Sequence, residues 1–243
     1  MCGVCGCGDG EKASAGHAHS HPHPSDARRL AVERSLLEHN REHAGRLAAR
    51  LAARGIDAIG LVGGPGAGKT ALLEATFALL GRGAAACELV VEGDCATDFD
   101  ARRVAAMGAH AIPLATGSLC HLDAHLVEHA LDSHPLEGIR RLWIENIGNL
   151  VCPAPFRCGE RRRAALVSVT EGDDKPEKYP ALFAGSDLLV ITKIDLLPHV
   201  EFDVARCVAG ARRVHPELPW LQISARSGAG LEGWLAWVHE ESP

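Results

Sequence analysis

The stretch Gly63-Gly64-Pro65-Gly66-Ala67-Gly68-Lys69-Thr70 lies between an apolar run, Ile56 to Val62, and a helical stretch, Lys69 to Leu80. GxxxxGKT in a strand-to-helix context is the spacing of a phosphate-binding loop, or P-loop. Its glycines let backbone N–H groups curl around phosphate oxygens, and the helix N-terminus adds favourable electrostatics. Gly63, Gly64, Gly66, Ala67 and Gly68 then cradle a nucleoside triphosphate. Lys69 reaches the β and γ phosphates as a catalytic residue, and Thr70 ligates Mg²⁺.

Outward from this loop, short apolar runs alternate with helical segments. Strands are expected at Cys87 to Val91, Ala111 to Leu114, Arg141 to Ile144, Ala164 to Val169, Leu188 to Ile191 and Trp220 to Ser224. Helices fit Asp98 to Met107, His121 to Leu131, Asp203 to Val214 and Leu231 to Glu240, with a long one from Asp26 to Arg54 before the first strand. This alternation predicts an α/β fold: a mainly parallel sheet with helices on both faces and functional residues at the carboxyl ends of the strands. Residues 1–25 hold almost no large apolar side chain and read as a flexible tail, with one globular domain over 26–243.

Thr192-Lys193-Ile194-Asp195 directly follows a predicted strand and resembles the NKxD element that reads guanine. A carboxylate such as Asp195 accepts from the N1–H and the N2 amino group of guanine, a donor pair that adenine lacks. Lys193 accompanies it, and Ser224-Ala225 resembles the loop that meets guanine O6 through its backbone. Thr192 in place of the commoner Asn is expected to weaken the usual tether to the P-loop. Two acidic elements end strands, Glu92-Gly93-Asp94 and Glu145-Asn146-Ile147-Gly148. Asp94 and Glu145 are candidates for the Mg²⁺ shell or for orienting the attacking water, and Gly148 can turn its amide to the γ-phosphate.

Metal-binding residue types appear in two places. Cys2, Cys5 and Cys7 can surround one ion, with the α-amine as a further donor, and the set suits planar Ni²⁺ or tetrahedral Zn²⁺. His17, His19, His21 and His23 follow as a loose chelating tract. Inside the domain, Cys120 and His121 open a predicted helix on which His121, His125 and His129 share one face. Cys152 supplies a second thiol if its loop folds back to Cys120, which would link nucleotide state to metal affinity. Cys87, Cys158 and Cys207 read as packing or incidental thiols, whereas Cys95, next to Asp94, fits either role.

The chain has 243 residues, 47% of them hydrophobic, enough for one substantial core. A net charge of -6 argues against a general nucleic-acid binder, and the basic run Arg161-Arg162-Arg163 reads as a solvated turn. No apolar stretch approaches the ~18 residues of a membrane span. Nine cysteines without a secretory h-region point to a reducing cytoplasmic setting.

Together CxxCGC (Cys2 to Cys7), CHLDA (Cys120 to Ala124), ENIGNLVCPA (Glu145 to Ala154), SVTEGDDKPEKYP (Ser168 to Pro180) and TKIDLLP (Thr192 to Pro198) resemble the HypB family, within the SIMIBI class of P-loop GTPases. That resemblance implies slow Mg²⁺-dependent GTP hydrolysis to GDP and a GTP-linked homodimer with Cys120, His121 and Cys152 on metal at the subunit interface. It also implies a separate nickel site at Cys2, Cys5 and Cys7. Nickel delivery to [NiFe]-hydrogenase, with a HypA-like chaperone and the hydrogenase large-subunit precursor as partners, is implied likewise. The rival readings are a urease-type delivery GTPase, whose metal motif would be Cys-Pro-His, and a nickel store with a vestigial nucleotide site.

Overall fold

The structure, a computed structural model, describes residues 24–94, 98–117 and 119–240. Cys2, Cys5, Cys7, the His17 to His23 tract and Cys95 lie outside the described residues. The chain divides into two compact units, Met1–Ser35 and Leu36–Pro243. The first contributes the opening turns of helix α1 (Pro24–Ala52), and the second carries everything below.

The second unit runs β1 (Asp57–Gly63), α2 (Lys69–Ala85), β2 (Glu88–Asp94), α3 (Phe99–Ala106), β3 (His110–Ala115), α4 (Ala124–Asp132), β4 (Arg141–Glu145) and β5 (Arg162–Ser168). It continues through α5 (Lys175–Lys178), α6 (Pro180–Ala184), β6 (Leu188–Thr192), a 3₁₀ turn (Ile194–His199), α7 (Val204–Arg212), β7 (Trp220–Ile223) and α8 (Leu231–His239). Among the described residues seven strands form one sheet in the order β3-β2-β4-β1-β5-β6-β7, every pairing parallel. The P-loop therefore leaves the central strand at its carboxyl end, flanked by the ends of β4 and β5.

Period-two alternation along the strands sorts the core into two faces. Ile59, Leu61, Val90, Trp143 and Leu166 meet α2, α3 and α8 on one side, where Phe77, Trp143 and Trp234 are fully buried. Ala58, Val91 and Ile144 meet Leu47 and Leu51 of α1 and Val127 and Leu131 of α4 on the other. Val62, Val167 and Ile191 extend that second face toward α6 and α7. Among the described residues no helix is long and apolar enough to cross a membrane.

Two expectations change. Helix α4 begins at Ala124 rather than His121, because Asp123 caps it: the Asp123 carboxylate accepts the Leu126 N–H at 2.8 Å. The run Arg161-Arg162-Arg163 is not a solvated turn, since Arg162 and Arg163 open β5 and Arg163 is 1% exposed. Its guanidinium pairs with Glu160 at 2.6 Å and donates to the carbonyls of Pro153, Ala154 and Phe156. The loop after Cys152 is thus fastened to the sheet by a buried cation.

Removing one partner of such a pair leaves the other buried and uncompensated, at about 3–5 kcal/mol. Arg163→Met is expected to lower unfolding free energy by about that much, measured by urea denaturation. A loss below ~1 kcal/mol, the scale of an exposed pair, would refute a structural role for this one.

Candidate functional site

The P-loop is shaped by positive φ angles that L side chains rarely adopt, 75° at Gly66 and 91° at Gly68. The Glu171 carboxylate packs directly on Gly64, where an added Cβ would displace it. Glu171 is in turn held by the Ser168 N–H at 2.8 Å, so the SVTEGDD stretch supports the loop from β5. Lys69 is 7% exposed and its Nζ donates to the carbonyls of Gly63 (3.4 Å) and Gly64 (3.3 Å). Burial draws the Lys69 pKa down, opposed by the nearby Glu145 carboxylate.

Glu145, at the end of β4, accepts the Thr70 hydroxyl at 2.8 Å through Oε1, while its buried Oε2 has no hydrogen-bond partner. Burial pushes the Glu145 pKa up to about 7, against the pull of Lys69 and Thr70. An orphaned carboxylate oxygen beside a threonine hydroxyl fits a hard divalent cation such as Mg²⁺, which takes oxygen donors. Asp94 ends β2, in register with Ala115 of β3, and its side chain is outside the description. The same cleft, of about 550 Å³, is also lined by Glu92, Asp100 and Arg103, of which Asp100 and Arg103 escaped sequence reasoning. Their position shows only when α3 packs beside the P-loop helix.

Gly148 sits so close to the P-loop that a Cβ would lie 2.8 Å from the Pro65 Cα. Only glycine lets these two loops touch.

A second cleft of about 250 Å³ is lined by Gly68, Leu72, Lys193, Asp195, Ile223 and Ala225, among others. Lys193 is the one non-glycine residue with positive φ (59°) among the described residues, and it starts the 3₁₀ turn that carries Asp195. The buried Ser224 hydroxyl donates to Asp195 Oδ1 at 2.6 Å, fixing the carboxylate. Thr192 does not slacken the P-loop: its hydroxyl donates to the Ala67 carbonyl at 2.6 Å, supplying the tether expected to be weak.

A separate cluster forms where two loops meet. One donor atom each from Cys120, His121 and Cys152 lies within 4.8 Å of the others. Burial lowers the His121 pKa, which favours the neutral imidazole that ligates metals. The His121 ring packs on Phe156 at 4.2 Å between centroids, and Phe156 is held in turn by Arg163. Two thiols and an imidazole suit Zn²⁺ or Ni²⁺.

His125 and His129 are not brought to this cluster. With α4 starting at Ala124, His121 is off the helical spacing. His125 instead packs edge-on against His43 at 4.9 Å, and His129 is exposed. Cys158 and Cys207 are buried in the core, and Cys158 Sγ donates to the Leu122 carbonyl at 3.3 Å.

A family profile described as CobW/HypB/UreG, nucleotide-binding domain, matches residues 57–222. A relative from Azotobacter vinelandii, hydrogenase maturation factor HypB, is 49% identical over 218 residues, covering 89% of this chain and 71% of its own. The solved structure of hydrogenase maturation factor HypB from Archaeoglobus fulgidus superposes with a TM-score of 0.76 at 36% identity, covering 83% of this chain and 97% of its own. The structure of HypB from Helicobacter pylori in complex with nickel gives 0.76 at 33% identity, with 82% and 93% covered.

Proposed function

The chain belongs to the CobW/HypB/UreG family, among its hydrogenase maturation factors HypB, and from that membership we propose that it is a GTP-hydrolysing nickel metallochaperone for [NiFe]-hydrogenase. Nickel is the cargo, and GTP binding and hydrolysis govern its capture and release. The observation that carries this reading is the meeting of Cys120, His121 and Cys152, donor atoms within 4.8 Å, beside a nucleotide cleft on the same chain.

In the proposed reaction the P-loop amides and Lys69 hold the β and γ phosphates. Thr70 and Glu145 hold Mg²⁺, which supplies charge neutralisation on the transferring phosphate. Asp94 completes the metal shell or orients water, and the Gly148 amide faces the γ-phosphate. Asp195, fixed by Ser224, selects guanine, with Lys193 and Ala225 lining the base cleft.

Cys120, His121 and Cys152 take Ni²⁺ or Zn²⁺. Leu119 and Val151, exposed at 47% and 61%, flank the two cysteines. Apolar side chains beside a ligand set in which Cys120 is exposed support a second copy closing over it in a GTP-linked homodimer. Cys2, Cys5 and Cys7 capture nickel at a separate site. A HypA-like chaperone and the hydrogenase precursor are its partners in the cytoplasm.

The test uses the full chain with Cys2, Cys5 and Cys7 replaced by Ser and His17, His19, His21 and His23 replaced by Ala. That protein should bind one Ni²⁺ or Zn²⁺ per chain by equilibrium dialysis and hydrolyse GTP. Adding Cys120→Ser and Cys152→Ser should abolish the remaining metal. Retained stoichiometry would move the site elsewhere, and metal binding without GTP hydrolysis would favour a storage protein.

A further inference from the structure

We propose that Asn149 is the positioning residue through which the nucleotide loop and the thiolate cluster sense one another, an inference that rests on Cys120, His121 and Cys152 forming a metal site. The Asn149 backbone N–H donates to the Gly63 carbonyl at 3.1 Å, an antiparallel bridge between the end of β1 and the segment after β4. Lys69 Nζ contacts that same carbonyl at 3.4 Å. The Asn149 side chain faces the other way. Its Oδ1 accepts the N–H groups of Val151 (2.8 Å) and Cys152 (3.2 Å), closing a turn that sets the direction of Cys152. Its Nδ2 donates to the Cys120 carbonyl at 3.4 Å. One residue thereby touches the P-loop and the backbone of both thiolate residues.

The segment that leads to Asn149 has no slack. Glu145 is joined to Thr70, and Asn146 accepts the Leu122 N–H at 2.9 Å, beside His121. Gly148 abuts Pro65 with no room for a side chain. A rearrangement of the P-loop or of Glu145 on exchanging GDP for GTP displaces Asn149 as a unit, and with it the separation of Cys120 from Cys152. An ion with ~2.3 Å bonds to two thiolates at a tetrahedral angle holds the sulfurs about 3.8 Å apart, so tenths of an ångström alter its affinity. Asn146 ties only the interior side of this segment, whereas Asn149 reaches both cysteines.

The experiment uses the full chain with Cys2, Cys5 and Cys7 replaced by Ser, so that the thiolate-to-Ni²⁺ absorption band reports the internal site. Ni²⁺ is titrated in GDP and in a non-hydrolysable GTP analogue for this parent, for Asn149→Ala and for Asn149→Asp. The aspartate keeps an acceptor for the Cys152 turn but cannot donate to the Cys120 carbonyl. The parent is expected to show an affinity ratio between nucleotide states of about 5- to 150-fold, the usual range of site coupling. In both variants the band persists and the ratio falls to within about twofold of unity, a change that a purely structural role would not single out.

A parent ratio that survives in Asn149→Ala overturns the role of Asn149 and leaves coupling intact. A parent ratio of one overturns the coupled reading itself, and a parent without a band overturns the metal site. If Asn149→Ala forms no band, Asn149→Asp decides: an unchanged ratio there overturns the proposal, and a collapsed ratio supports it.

Discussion

Lys69→Ala is expected to lower GTP hydrolysis by about 10²- to 10³-fold, the usual cost of removing one preorganised donor to developing charge. The position explains why no neighbour can substitute. Lys69 is 7% exposed at the mouth of the P-loop, and its ammonium rests on the Gly63 and Gly64 carbonyls. The side chain is held in the cleft, so its charge acts where water screens it least. Metal binding at Cys120 and Cys152 should survive, because those residues are fastened by Arg163 and Asn149 rather than by Lys69. Single-turnover hydrolysis with radiolabelled GTP measures the first effect and Ni²⁺ stoichiometry the second. Hydrolysis within threefold of the parent would refute the P-loop assignment.

Asp195→Asn is expected to weaken GTP binding by up to roughly 10⁴-fold and to shift preference toward xanthosine triphosphate. In the proposed base site the carboxylate would pair with two donors on guanine. Asparagine turns one acceptor into a donor, leaving the guanine amino group facing an N–H, whereas xanthine offers a carbonyl at that place. Ser224 can still donate to the remaining Oδ1, so the loop geometry survives the exchange. Competition by unlabelled nucleotides against a fluorescent GTP analogue reads both changes. Equal GTP affinity in the variant would remove Asp195 from base recognition.

Much of the fold was legible because its signals are local. Strand and helix follow from period-two and helical patterning, and GxxxxGKT is a contiguous motif whose backbone conformation its glycines set. The short helices α5 and α6 and the 3₁₀ turn after Thr192 were not read. None exceeds two turns, too short for a periodic signal, and Pro176 and Pro180 stand at helix starts, where proline is tolerated. The start of α4 was misplaced although Asp123 is a recognisable cap, because the spacing of His121, His125 and His129 suggested a longer helix.

The site divides in the same way. Residue types and order along the chain were enough to point to a nucleotide loop and to nominate a guanine reader and two sets of metal-binding side chains, because chemistry of that kind is written in contiguous motifs. Which groups meet is a matter of packing between segments far apart in sequence. Cys120 and Cys152 face one another because β3 and β4 both flank β2 and end on the same side of the sheet. Arg163 became a buried anchor, and His125 was drawn to His43 instead of the thiols. No spacing rule reports such outcomes. They depend on which side chains remain after each strand and helix has buried its apolar face, a free-energy balance over the whole domain rather than over any one stretch of it.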